Sequence, residues 1–125
     1  MLHIQDEYDL HVAVVKYIRD NYPSVLLVPG LGEFQSTRDL RLQGWHKGYT
    51  SGQPDFLLLH PSRDNQYVGF AIEFKHPCGT SEATKKQLKF LEDLRAVGFK
   101  TMVSHSFADI VTELAAYFLR PELVG

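Results

Sequence analysis

At 125 residues, with 44% hydrophobic and 22% charged positions, the chain has the length and balance of one soluble globular domain over 1–125. No apolar stretch approaches the roughly 20 residues needed to cross a bilayer, the opening MLHIQDEYDL lacks an export pattern, and the lone Cys78 cannot form an internal disulfide, so a membrane protein is excluded and a soluble, intracellular one expected. A net charge of −2 argues against attachment to nucleic acid by bulk charge, although residues 36–50 and 75–100 are each net basic.

In chain order, residues 4–20 predict a helix with an apolar stripe at Ile4, Val14, Val15 and Ile18, and Pro23 lies beyond its end. Glu7 and His11 fall on that stripe, whereas Asp6, Asp9 and Lys16 point away. VLLVP at 25–29 is a short strand, and PGLGEFQS at 29–36 a Gly-rich turn region. Residues 37–46 form a short helix or an irregular loop. Pro54 introduces a second strand at 55–59, which Pro61 closes.

A third strand, about 66–75, alternates: Val68, Phe70, Ile72 and Phe74 face one side, and Gly69, Ala71, Glu73 and Lys75 the other. Thr80 or Ser81 caps a helix with Glu82 in its first turn, running to Val97 with Gly98 as its stop. Its inner stripe is Ala83, Gln87, Phe90, Leu91, Leu94 and Val97, with Lys85, Lys86, Lys89 and Glu92 outside it. FKTMVS at 99–104 is a fourth strand, and Ser106 with Asp109 opens a last helix that ends before Pro121. The order α-β-loop-β-β-α-β-α implies an α/β fold, a central mixed β-sheet flanked by helices.

Four of these elements place a polar residue where burial favours an apolar one: Glu7, Asp55, the Glu73/Lys75 pair and Gln87. Each has a structural alternative. Glu7 can cap its helix, Asp55 can belong to a turn after Pro54, Glu73 and Lys75 can pair on an edge strand, and Gln87 can bond to nearby backbone. One metal site accounts for all of them together, because charges are costly to bury unless paired or bound to a metal. Carboxylates on adjacent strands suit a hard cation such as Mg²⁺. Such a site can hydrolyse a phosphodiester, with a nearby ammonium stabilising the charge that develops.

The ordered set G-x-x-x-G-Q-P-D at 48–55, E-F-K at 73–75 and a Gln on the following helix resembles the PD-(D/E)xK nucleases. More narrowly it resembles the virus-type replication–repair nuclease (VRR-NUC) domain in stand-alone form. The matching positions are Glu7, Gly48, Gly52, Pro54, Asp55, Glu73, Lys75, Gly79 and Gln87, spanning about residue 5 to residue 119. The resemblance implies a restriction-endonuclease-like fold with Asp55, Glu73 and the Phe74 carbonyl as ligands of Mg²⁺, for which Mn²⁺ substitutes. It implies that Lys75 orients the attacking water, that Gln87 holds Lys75 or the water, and that Glu7 serves an outer shell or a second metal. In one departure, His11 stands where the pattern has Gln, and it reads as a buried histidine rather than a ligand.

The implied activity is a metal-dependent deoxyribonuclease that leaves 5′-phosphate and 3′-hydroxyl ends. Stand-alone members resemble structure-selective endonucleases that act as homodimers on branched DNA such as Holliday junctions, and the resemblance is compatible with a phage or virus origin. The alternatives are a catalytically inactive nucleic-acid-binding or assembly module, and a hydrolase of another phosphodiester such as RNA. Arg38, Arg41, Trp45, His46, Lys47 and Tyr49 form a basic and aromatic stretch before the motif. Arg38, Arg41, Trp45 and Lys47 are candidates for DNA contact, with Trp45 alternatively a core or dimer-interface anchor. Lys85, Lys86 and Lys89 read as solvated, and Cys78 as an ordinary loop thiol.

Overall fold

GFAIEF is buried along its whole length, which only an interior strand with both faces covered allows. In the computed structural model, which describes residues 3–30 and 35–119, this segment is strand β3 (Gly69–Phe74). Before it come helix α1 (Glu7–Asn21), strand β1 (Leu26–Pro29), helix α2 (Arg38–His46) and strand β2 (Phe56–Leu59). After it come helix α3 (Lys85–Ala96), strand β4 (Phe99–Ser104) and helix α4 (Phe107–Phe118).

The strands form one sheet in the order β1-β2-β3-β4. The β1/β2 and β2/β3 pairs are antiparallel, and β3/β4, joined through α3, is parallel. This is the α/β architecture with a mixed sheet that the element order implied.

Alternation along β2 and β3 divides the sheet into two chemically different faces. Phe56, Leu58, Phe70, Ile72 and Phe74 form a core with Leu10, Val14 and Ile18 of α1 and Ile110, Leu114 and Tyr117 of α4. The opposite face carries Ala71, Glu73 and Lys75 and meets α3, where Arg95 Nη1 donates to Thr101 Oγ1 at 2.8 Å and Gln87 reaches Lys75. Burying Phe70, Ile72 and Phe74 stabilises the fold by about 1.5–3 kcal/mol each. That is the force that keeps β3 in the middle of the sheet although it carries Glu73.

Several boundaries differ from the sequence expectation, each for a local reason. Helix α1 begins at Glu7 because the Asp6 side chain accepts from the Asp9 amide; Ile4 packs on the core from outside the helix. Leu10 and Ala13 join the buried stripe, while Glu7 is exposed and His11 half-buried at its flank. Residues 38–46 are helical, capped by Thr37, whose Oγ1 accepts from the Leu40 amide at 3.1 Å. Helix α3 is capped by Thr84, not Thr80 or Ser81. Val68 and Val97, expected inside, are 56% and 66% exposed because each lies just beyond its element. Residues 31–34 of the Gly-rich turn, and Pro121, lie outside the described residues.

Candidate active site

Asp55 immediately precedes β2, one step beyond the Phe56↔Ile72 pair, so the antiparallel register sets it opposite Glu73 on the α3 face. Its Oδ2 accepts a hydrogen bond from the Phe74 amide at 2.7 Å. The carboxylate therefore spans two strands and is not part of a turn after Pro54.

Two glycines make this placement possible. The Gly30 amide donates to the Asp55 carbonyl at 2.8 Å, and a Cβ on Gly30 would overlap the Pro54 carbonyl oxygen. Gly52 adopts φ +95°, and a Cβ there would lie 2.6 Å from the Lys86 carbonyl oxygen. The G-Q-P-D approach is thus pressed against β1 on one side and the first turn of α3 on the other.

Glu73 is 1% exposed, and neither of its carboxylate oxygens has a hydrogen-bond partner. Burial first, then the negative charge of Asp55 and the proton that Glu73 would share with that carboxylate, push its carboxyl from an ordinary 4.5 up to about 9, with Lys75 opposing the rise and Glu7 adding to it. Lys75, 8% exposed, projects from the same face. Its Nζ donates to Gln87 Oε1 at 3.2 Å, and that oxygen also accepts from the Thr84 amide at 2.8 Å. Thr84 Oγ1 in turn accepts from the Gln87 amide, completing a capping box that fixes the start of α3 and the Lys75 anchor with the same side chain. Because β3 is interior, Glu73 and Lys75 are not an edge-strand pair.

An orphaned buried carboxylate beside a second one is a donor set that fits a hard cation. Among the described residues no group of three or more His, Cys, Asp or Glu side chains is arranged to hold a metal. A cation here would be held by the Asp55 and Glu73 carboxylates with water completing its shell, as suits an ion like Mg²⁺ that keeps several waters and takes one or two carboxylates.

Asp55 opens onto a cavity of about 620 Å³ along α1, lined by Glu7, Tyr8, His11, Val12 and Phe74 among others. Glu7 is on this wall, and its charge reaches Glu73. The His11 ring lies 4.7 Å from that of Phe74 and stacks at 5.4 Å on that of Phe56. Tyr8, 70% exposed, and Arg19 on the same wall were not singled out by sequence. Tyr8, Val12, Val15 and Arg19 form a second stripe of helical spacing beside the buried one, which is the signal that could have found them.

The 37–49 segment stands apart from the carboxylates. Helix α2 buries no residue, and Trp45 is 63% exposed, so it is not a core anchor. Arg38, Arg41 and Trp45, three and four residues apart, share one face of α2, and Arg41 Nη1 donates to the Gln35 carbonyl at 3.4 Å. Lys47 is the helix C-cap. None of these residues lines the Asp55 cavity. Cys78 is exposed, with its sulfur 2.9 Å from Thr80 Oγ1.

The four-stranded mixed sheet with its flanking helices is a restriction-endonuclease-like α/β fold. Among solved structures, the chain superimposes on one described as "VRR_NUC domain protein" with a TM-score of 0.72, covering 92% of this chain and 89% of that one at 18% sequence identity. The fold is therefore the VRR-NUC fold. No protein-family model matches the sequence, and no curated protein matches it.

Proposed function

We propose that the protein is a divalent-metal-dependent nuclease that hydrolyses DNA phosphodiester bonds at the Asp55/Glu73/Lys75 site. The observation that carries this reading is Glu73: a fully buried acid with two unpartnered oxygens, opposite Asp55 and beside a buried lysine. A core has no use for that arrangement, whereas a cation offsets its burial and its mutual repulsion. When bound, Mg²⁺ or Mn²⁺ supplies a Lewis acid for the phosphoryl oxygen and lowers the pKa of a coordinated water.

The chain's own groups supply the rest. Asp55 and Glu73 would hold the ion from opposite sides of the β2/β3 register. Lys75, kept in place by Gln87, presents an ammonium to the attacking water and to the negative charge that develops on phosphate. Glu7, on the wall of the adjoining cavity, takes an outer position where it can order water around the site. The fold likeness to a VRR_NUC domain protein supports a nuclease over other metal-dependent hydrolases.

The proposal extends to substrate and assembly: a structure-selective endonuclease acting as a homodimer on branched DNA such as Holliday junctions, leaving 5′-phosphate and 3′-hydroxyl ends. Two symmetric cuts require two such sites related by a two-fold axis. The test is cleavage of labelled linear duplex, flap, single-stranded and four-way-junction DNA with Mg²⁺, Mn²⁺ or EDTA, with Asp55→Ala as control and sedimentation for the assembly. Metal-dependent cutting that Asp55→Ala abolishes is the expected result. Binding without cutting under every metal condition would make the protein a non-catalytic binding module.

A further inference from the structure

On the side of α3 that faces away from Lys75, two segments distant in sequence close on one another. Trp45, Thr50 and Ser51 form one wall of a groove of about 500 Å³; Lys85, Lys86, Lys89, Phe90 and Asp93 form the other. The groove is joined to the active site through one short turn. Lys86 carries the carbonyl against which Gly52 is packed, and Gln87, the next residue, reaches the opposite way to Lys75.

Two features of this groove point to an anionic ligand with flat apolar parts. The first is its lining, an exposed indole and a phenyl ring beside three lysines and a single acid, Asp93, whose charge Lys89 offsets. The second is the placement of those lysines: Lys85 and Lys86 occupy the first turn of α3, which contains no acid, although the amide dipoles there repel cations. An anion bound across the turn relieves that repulsion and satisfies both. Lys89 is engaged by Asp93 at 2.9 Å, so Lys85 and Lys86 are the cations available to phosphate.

We propose that this groove binds an unpaired strand of the nucleic-acid substrate, one base stacking on Trp45 and Phe90 while the flanking phosphates contact Lys85 and Lys86. Bases within a duplex are already stacked on each other and cannot offer a face to the indole, whereas those of a single strand can. Arg38 and Arg41, on the Trp45 face of α2, extend the basic track beyond the groove. The inference rests on the nuclease reading and narrows it: among branched DNAs, one with a single-stranded segment adjoining the cut, such as a flap, is preferred over a fully paired four-way junction.

Trp45 is the only tryptophan in the chain, so its fluorescence reports this groove alone. The full chain in EDTA is titrated with a ten-nucleotide oligothymidine and with a duplex of the same length, with anisotropy of the labelled strand followed in parallel. Saturable quenching by the single strand and little by the duplex is the expected result. Trp45→Ala should weaken single-strand binding about 5- to 150-fold. The Lys85→Glu/Lys86→Glu variant should weaken it about ten-fold or more and lower the slope of log affinity against log salt by about 1.4.

Binding seen by anisotropy with unchanged Trp45 fluorescence, equal quenching by the duplex, or no binding of the single strand would each overturn the proposal. Asp55→Ala separates the two readings, since it should leave the quenching intact while abolishing cleavage. Quenching by a protein that never cleaves would therefore retain the groove and refute the nuclease.

Discussion

Gln87 Oε1 accepts a hydrogen bond from Lys75 Nζ at 3.2 Å and from the Thr84 amide at 2.8 Å, so one side-chain oxygen both starts helix α3 and positions the buried ammonium. The two roles separate by mutation. Thr84→Ala should cost about 1 kcal/mol of stability and leave cleavage close to native. Gln87→Leu should cost a similar amount and also lower kcat, because Lys75 loses its acceptor. Thermal melts and cleavage rates of the two variants decide it; equal activity in both would remove Gln87 from the positioning of Lys75.

Lys75→Met keeps most of the side chain's volume and removes its charge. Cleavage should fall about 10²- to 10³-fold, the scale for deleting one donor to a developing oxyanion. The metal-loaded protein should remain folded by circular dichroism, because the cation continues to neutralise the acids. Native turnover in this variant would assign the transition-state charge to another group.

The raised Glu73 carboxyl makes stability and metal binding depend on pH in opposite directions. Its value near 9 in the folded chain exceeds the ordinary 4.5, so the folded state holds this proton more tightly than the unfolded one. The associated stabilisation is fully present below pH 4.5 and is lost as pH rises through 9. The melting temperature of the metal-free protein should therefore decline across that window more steeply than that of Glu73→Gln. Mg²⁺ affinity should rise across the same window with release of about one proton, measurable by calorimetry in buffers of different ionisation enthalpy. A proton count of zero would contradict ligation by Glu73.

Gly52→Ala combines a strained positive φ with a clash against the Lys86 carbonyl. It should destabilise the fold by more than about 1 kcal/mol and, by displacing Pro54 and Asp55, reduce cleavage further than the stability loss accounts for. Denaturant unfolding gives the first quantity and single-turnover kinetics the second.

Where the chain buries something, its sequence was readable. Alternation identified β3 and its two faces, and Asp55, Glu73 and Lys75 stood out because they interrupt apolar runs. Helix α2 was ambiguous for the converse reason: it buries no side chain, so no apolar period marks it, and Gly44 weakens its propensity. The start of α3 was placed too early because Thr80 and Ser81 are equally good caps by type. T-K-K-Q at 84–87, a capping-box pattern, was the better signal. The meeting of Trp45 with Lys85 and Lys86 left no local trace, since it depends on how the segment after α2 crosses α3.

In β2, β3 and the residues flanking them, the chemical groups occupy odd positions, 55, 73 and 75, and the core side chains even ones, 56, 58, 70, 72 and 74. Site and core are thus interleaved on the same backbone, and a slip of one residue exchanges them wholesale, turning Glu73 toward α1 and α4 and a phenyl ring toward the place the carboxylate held. An insertion or deletion within either strand cannot alter one without ruining the other. Length variation that preserves both is confined to the connection between them, residues 60–68, where adding chain changes the loop and leaves which carboxylate faces which untouched.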